Sequence, residues 1–122
     1  MNRGSILTGV AVAGFGYGTV THAIDFWRYG WWPYAFGTPL LNLFWNSLIV
    51  LDAVVVALLL TKRRVGLAMG IGVMILDVFA NSYAWQVLDI GAFAIAVPIQ
   101  AGFLVYLLAA GRPMVASPRP TP

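Results

Sequence analysis

Polar residues are so sparse along this chain that the apolar runs between them set its architecture. Read at about 20 residues per bilayer crossing, four runs stand out: Ser5 to Asp25, Pro39 to Thr61, Val65 to Trp85, and Asp89 to Ala110. They predict an all-α integral membrane protein, a four-transmembrane-helix bundle forming one domain over residues 1–111. The expected connections are an aromatic segment between helices 1 and 2, the basic turn KRR and the short turn QVL. Links this short make consecutive helices antiparallel neighbours. Residues 112–122 carry four prolines and no apolar periodicity, which predicts a disordered Pro-rich tail.

Composition agrees with the pattern. The 122 residues are 61% hydrophobic and 9% charged, with a mean hydropathy of +0.85, whereas soluble domains carry about 25% charged residues. A domain of this size has no interior large enough to hide that much apolar surface, so lipid is the expected partner of the outer faces. The chain has no cysteine, which excludes disulfides, thiolate metal sites and thiol relays. With one histidine besides, the usual zinc shells cannot be assembled and no metal or cofactor is expected.

The formal charge of +3 reads as an orientation signal, because no basic residue lies in a nucleic-acid recognition motif. With both termini cytoplasmic, the inside holds Arg3, Lys62, Arg63, Arg64, Arg112 and Arg119, and the outside only Arg28. The positive-inside rule therefore predicts N-in, C-in topology, in a membrane of the bacterial cytoplasmic type. Arg3 ahead of an apolar run, with AVAG after it, resembles a secretory signal. The apolar stretch continues well past that point, so retention as a span is expected.

On this topology the segment Val20 to Phe36, VTHAIDFWRYGWWPYAF, faces outward. Its rings suit an interfacial aromatic belt, while Gly30, Pro33, Gly37 and Pro39 supply turns that would fold Trp31, Trp32 and Tyr34 over the bundle as a cap.

The polar residues inside the spans carry the chemistry. Asp52 and Asp77 lie near mid-span, where an acid costs roughly 2.5–3.5 kcal/mol for insertion. At 100° per residue, Gly66, Gly70, Asp77 and Asn81 share an arc of about 60°, and Gly14, Gly18, His22 and Asp25 one of about 80°. Small residues let helices approach closely, so both stripes are expected to face inward. Span two adds Asn42, Asn46 and Asp52, and span four adds Gln100 beside Pro98. The inferred shape is an outward-facing polar pocket floored by two carboxyl groups. Asp77, Asp52 and His22 are the candidate catalytic residues, and Asn46, Asn81, Asp25, Asn42, Gln100, Trp31, Trp32 and Tyr34 the candidate ligand contacts. Plainer roles compete: interhelical hydrogen bonding for Asn46, Asn81 and Gln100, an ion pair between Asp25 and Arg28, and an N-cap for Asp89.

In outline, the four spans, the acids on early helices and the proline in the last one are similar to the EXPERA group of sterol isomerases and sterol-binding receptors, although no motif aligns residue by residue. FGTPLLNLFWNSL is similar to the second helix of the four-span fluoride channels, but MGIGVMILDVFANSYA lacks the Thr/Ser/Phe-rich break of their third. The small multidrug transporters keep an essential glutamate in span one, and this chain has none.

Three functions fit. The first is binding, with acid–base conversion as an extension, of a small lipophilic molecule by the intramembrane acids. The second is a non-catalytic membrane subunit whose acids pair with a partner protein. The third is a proton-coupled small transporter acting as a homodimer. Whether the protein is an enzyme is left open by the sequence.

Overall fold

The computed structural model describes residues 1–116. Four helices account for most of them: α1 Arg3–Tyr29, α2 Pro39–Thr61, α3 Arg63–Gln86 and α4 Phe93–Val115. Helices α2, α3 and α4 are each long and apolar enough to cross a membrane. Helix α1 is the longest, at 27 residues, but its glycines, threonines, His22 and Asp25 dilute its hydropathy, so three helices rather than the expected four meet that test.

Local chemistry sets the helix ends. The Asn2 side chain accepts from the Ser5 N–H at 2.8 Å and caps α1. Helix α1 runs four residues past Asp25, because Phe26 to Tyr29 are compatible with helix and the first stop signal is Gly30, whose φ of 71° only glycine adopts freely. Thr38 caps α2 through the Leu41 N–H, with Pro39 in the first turn, where its missing N–H costs nothing. Lys62 alone links α2 to α3; Arg63 and Arg64 already belong to α3.

Two expected boundaries move. Asp89 does not cap α4: it sits at φ 56°, in the left-handed region, while the Ile90 N–H returns to the Ala84 carbonyl. That turn wraps the end of α3, and α4 starts only after Ala92, without a side-chain cap. At the other end α4 continues to Val115, five residues beyond Ala110, because Met114 is fully buried and Arg63 Nη1 donates to its carbonyl at 3.1 Å. Residues 117–122 of the expected tail lie outside the described residues.

The helices close a ring in chain order: α1 packs on α2, α2 on α3, α3 on α4, and α4 back on α1. Phe15, Trp45, Leu48, Val55, Leu59, Met74, Leu107 and Met114 fill its axis. The outer faces are apolar and exposed, as with Leu40, Leu60, Phe79, Ile95 and Val105, the pattern lipid contact requires. Both glycine stripes turn inward. Gly66 lies against the backbone of Leu58 and Leu59, Gly70 and Gly14 against the Phe15 and Phe103 rings, and Gly18 against the Asp52 carboxyl.

The seam between α1 and α4 is uneven. Near the α1 N-terminus it is tight: Gly4 meets the Pro113 carbonyl, and the Tyr106 hydroxyl donates to the Leu7 carbonyl at 2.6 Å. Phe15 and Phe103 meet edge-to-face at 5.3 Å midway along it. Beyond them, towards the 30–38 and 87–92 links, the helices part.

Candidate functional site

Where α1 and α4 part, a cavity of about 620 Å³ opens. Phe15, Phe103 and Met74 form its inner wall, and Asp52 and Asp77 reach it from α2 and α3. His22 from α1 and Gln100 from α4 also line it. Tyr17, Ile95 and Ile99 line the opening and are themselves exposed on the flank of the bundle. The mouth therefore opens sideways, between helices. The aromatic link does not cover it: Trp31, Trp32 and Tyr34 take no part in the lining.

The two acids differ in their surroundings. Asp77 is 7% exposed, and its Oδ1 accepts from Asn81 Nδ2 at 3.3 Å, one helical turn on. Asp52 is 6% exposed and has no hydrogen-bond partner among the described residues. Its carboxyl lies where a Cβ on residue 18 would otherwise sit, so Gly18 makes the room for it. No lysine or arginine lines the cavity.

Asn81 organises the inner side. Its Oδ1 accepts from Trp45 Nε1 at 2.7 Å, and its amide donates to Gln100 Oε1 at 2.5 Å as well as to Asp77. Both of its amide hydrogens and one Oδ1 lone pair are used, on side chains from three helices. The carbonyl of Gln100 is thereby occupied, so its amide N–H groups are what this lining residue has left to offer.

At the same end of the bundle, Tyr34 folds in from the link and is buried. Its hydroxyl donates to Asp25 Oδ2 at 2.9 Å and lies 2.7 Å from His22 Nδ1. A phenol has one proton, and the Asp25 carboxylate only accepts, so His22 Nδ1 must be the donor to Tyr34. In the neutral ring this tautomer leaves the lone pair on Nε2, and the His22 side chain lines the cavity. The expected Asp25–Arg28 ion pair is absent among the described residues, where Asp25 Oδ2 accepts from the Tyr34 hydroxyl.

Asn42 and Asn46 hold the link rather than the cavity. Asn42 accepts from the Tyr34 N–H at 3.0 Å, and both Asn42 and Asn46 donate to the Trp31 carbonyl at 3.1 Å. The side chains of Trp31 and Trp32 remain exposed, at 81% and 52%. Asn46 Oδ1 is buried without a partner.

Burial first, and the adjoining Asp25 carboxyl second, push the Tyr34 phenol above the usual tyrosine range. The native state thus holds the protonated phenol. Its stabilising contribution is complete below the unfolded tyrosine value of about 10 and is lost as pH rises beyond it. The difference in tyrosinate absorbance between wild type and Tyr34→Phe should show one phenol that stays protonated past that value. A phenol titrating with free tyrosine would contradict the Tyr34–Asp25 contact.

Of the residues singled out from sequence, Asp52, Asp77, His22 and Gln100 meet in one cavity. Asn81 supports it from behind, and Asp25, Asn42, Asn46, Trp31, Trp32 and Tyr34 belong to the link and its anchorage. The apolar wall of Phe15, Phe103, Ile95, Ala96 and Ile99 was not legible as a site. Pro98 beside Gln100 was its one sequence signal. Among the described residues, no three His, Cys, Asp or Glu side chains gather closely enough to hold a metal ion. No known protein family, characterised protein or solved structure matches this chain.

Proposed function

We propose that this is a small integral membrane protein whose four helices all cross the bilayer, N-in and C-in, and that it binds a small lipophilic molecule in the cavity between α1 and α4. The observation carrying this reading is the sideways mouth: a polar-floored cavity whose opening is framed by Tyr17, Ile95 and Ile99 on the flank of the bundle. An apolar molecule dissolved in the bilayer reaches such a mouth without entering water. Mostly apolar walls with a few convergent polar groups are what small-molecule sites usually present.

The orientation is supported by Arg3, the Lys62–Arg64 cluster and Arg112, which the ring places at one end of the bundle, with Arg28 at the other. Trp27, Tyr29, Trp31 and Trp32, all exposed beside Arg28, then form the outer aromatic belt. The acids, with His22 Nε2, give the site groups able to exchange a proton with a bound molecule.

Ala96 lines the cavity from α4, and Ala96→Trp puts an indole into it while leaving Asp52, Asp77, His22 and Gln100 unchanged. Native mass spectrometry of protein extracted in mild detergent is expected to find a lipophilic small molecule on the wild type and none on Ala96→Trp. Equal retention by both, or none by either, would overturn the proposal.

A further inference from the structure

We infer that the molecule held between α1 and α4 carries a protonated amine, which sits between Asp52 and Asp77 while its apolar portion lies against Phe15 and Phe103 and leaves through the gap between Ile95 and Tyr17. This inference rests on the reading of the cavity as a lipophilic binding site.

The first ground is the imbalance between acceptors and donors. The cavity presents both oxygens of Asp52, the unshared oxygen of Asp77 and the Nε2 lone pair of His22. Against these stand the Gln100 amide hydrogens and, out at the exposed mouth, the Tyr17 hydroxyl, since the Thr21 hydroxyl is already spent on the Gly18 carbonyl at 3.0 Å. A ligand head rich in N–H donors and lacking acceptors balances that set; a hydroxyl or carbonyl does not.

The second ground is Asp52 itself. More than nine-tenths of it is buried, it lines the cavity, and no described side chain bonds to it. An ionised carboxylate held this deep without a partner is costly, and pairing with a hydrogen-bonded cation lets it stay ionised where it would otherwise take up a proton. No lysine or arginine of the cavity can supply the cation, and Gly18 keeps the carboxyl's place clear.

The third ground is the wall. Phe15 and Phe103 stand edge-to-face at 5.3 Å, an interplanar angle of 65°, so ring surface lies beside the acids. Aromatic faces attract an ammonium as well as an alkyl chain.

The test uses two probes that differ only in their heads, decylamine and decanol, with the full chain in phosphatidylcholine nanodiscs. Retained probe is read by native mass spectrometry and confirmed by calorimetric titration. Decylamine is expected to bind the wild type with one molecule per chain and at least tenfold more tightly than decanol. Asp52→Asn and Asp77→Asn are each expected to weaken decylamine tenfold or more and to leave decanol within about twofold. Decanol binding as tightly as decylamine, with both lost in Ala96→Trp, would overturn the amine while leaving the lipophilic site standing. If neither probe binds, both readings fall. The wild-type comparison of the two heads decides the matter even where an acid variant does not fold.

Discussion

Gly66→Ala is expected to lower the stability of the bundle by about 2–3 kcal/mol in reversible SDS unfolding followed by circular dichroism. A Cβ at this position would stand 2.6 Å from the Leu58 carbonyl carbon and 2.9 Å from Leu59 Cα. These are backbone atoms, and no rotamer change can move them aside. With Lys62 as the only residue between α2 and α3, relief requires the two helix ends to separate. That withdraws Leu59 and Leu67 from the core they share. Helix propensity acts in the opposite sense, since alanine is favoured over glycine by up to about 1 kcal/mol in a helix interior, so the net loss is smaller than the steric term alone. Gly72, on the same helix with nothing within 4 Å of its would-be Cβ, supplies the control: Gly72→Ala is expected to stabilise by a few tenths to about 1 kcal/mol. If the two variants unfold alike, the close approach of α2 and α3 is not as described.

Asn81→Leu is the second large effect expected, a loss of about 2–4 kcal/mol with little change in side-chain volume. The substitution removes three bonds at once, leaving Trp45 Nε1 and Gln100 Oε1 without their partner and freeing the Asp77 Oδ1 that Asn81 occupied. Interhelical bonds within membranes average about 0.6 kcal/mol and reach about 1.7, but a buried group left bare costs about 1–3. The second figure governs here, because Trp45 is 2% exposed and has no water to turn to. In a double-mutant cycle, Trp45→Phe should cost less in the Asn81→Leu background than in the wild type, by about 0.6–1.7 kcal/mol. Additive losses would mean that the two side chains do not depend on each other.

The unequal legibility of the chain has physical causes. Helix α2 begins and ends where the apolar run predicts, Pro39 and Thr61, because Thr38, Pro39 and Lys62 mark its ends in the local sequence. The inward glycine stripes were likewise readable, since helical period alone places Gly66 beside Asp77 and Gly18 beside His22. The Asp89 cap was misplaced because a left-handed turn depends on how α3 ends, not on the residues that follow it. Sorting the polar residues into cavity and anchorage was beyond the sequence for a related reason. Asn42 and Asn81 are alike in type, burial and depth, and only the positions of Trp31, Tyr34, Trp45 and Gln100 decide which one binds a link and which supports a site.

The cavity lies at the junction of the first and last helices, the one neighbouring pair that no linker joins. Spreading that junction strains no loop. At one end it is pinned by Tyr106 on Leu7 and by the close passage of Gly4 and Pro113. At the other, α4 starts without a side-chain cap, and Pro98, just over one turn further on, has no N–H for the Ala94 carbonyl, so the first turn is held by one hydrogen bond fewer. The arrangement is that of a clothes-peg, with a fixed pivot at the end that carries most of the positive charge and jaws at the opposite end. Ile95 and Ile99, which line the mouth, lie on either side of that proline.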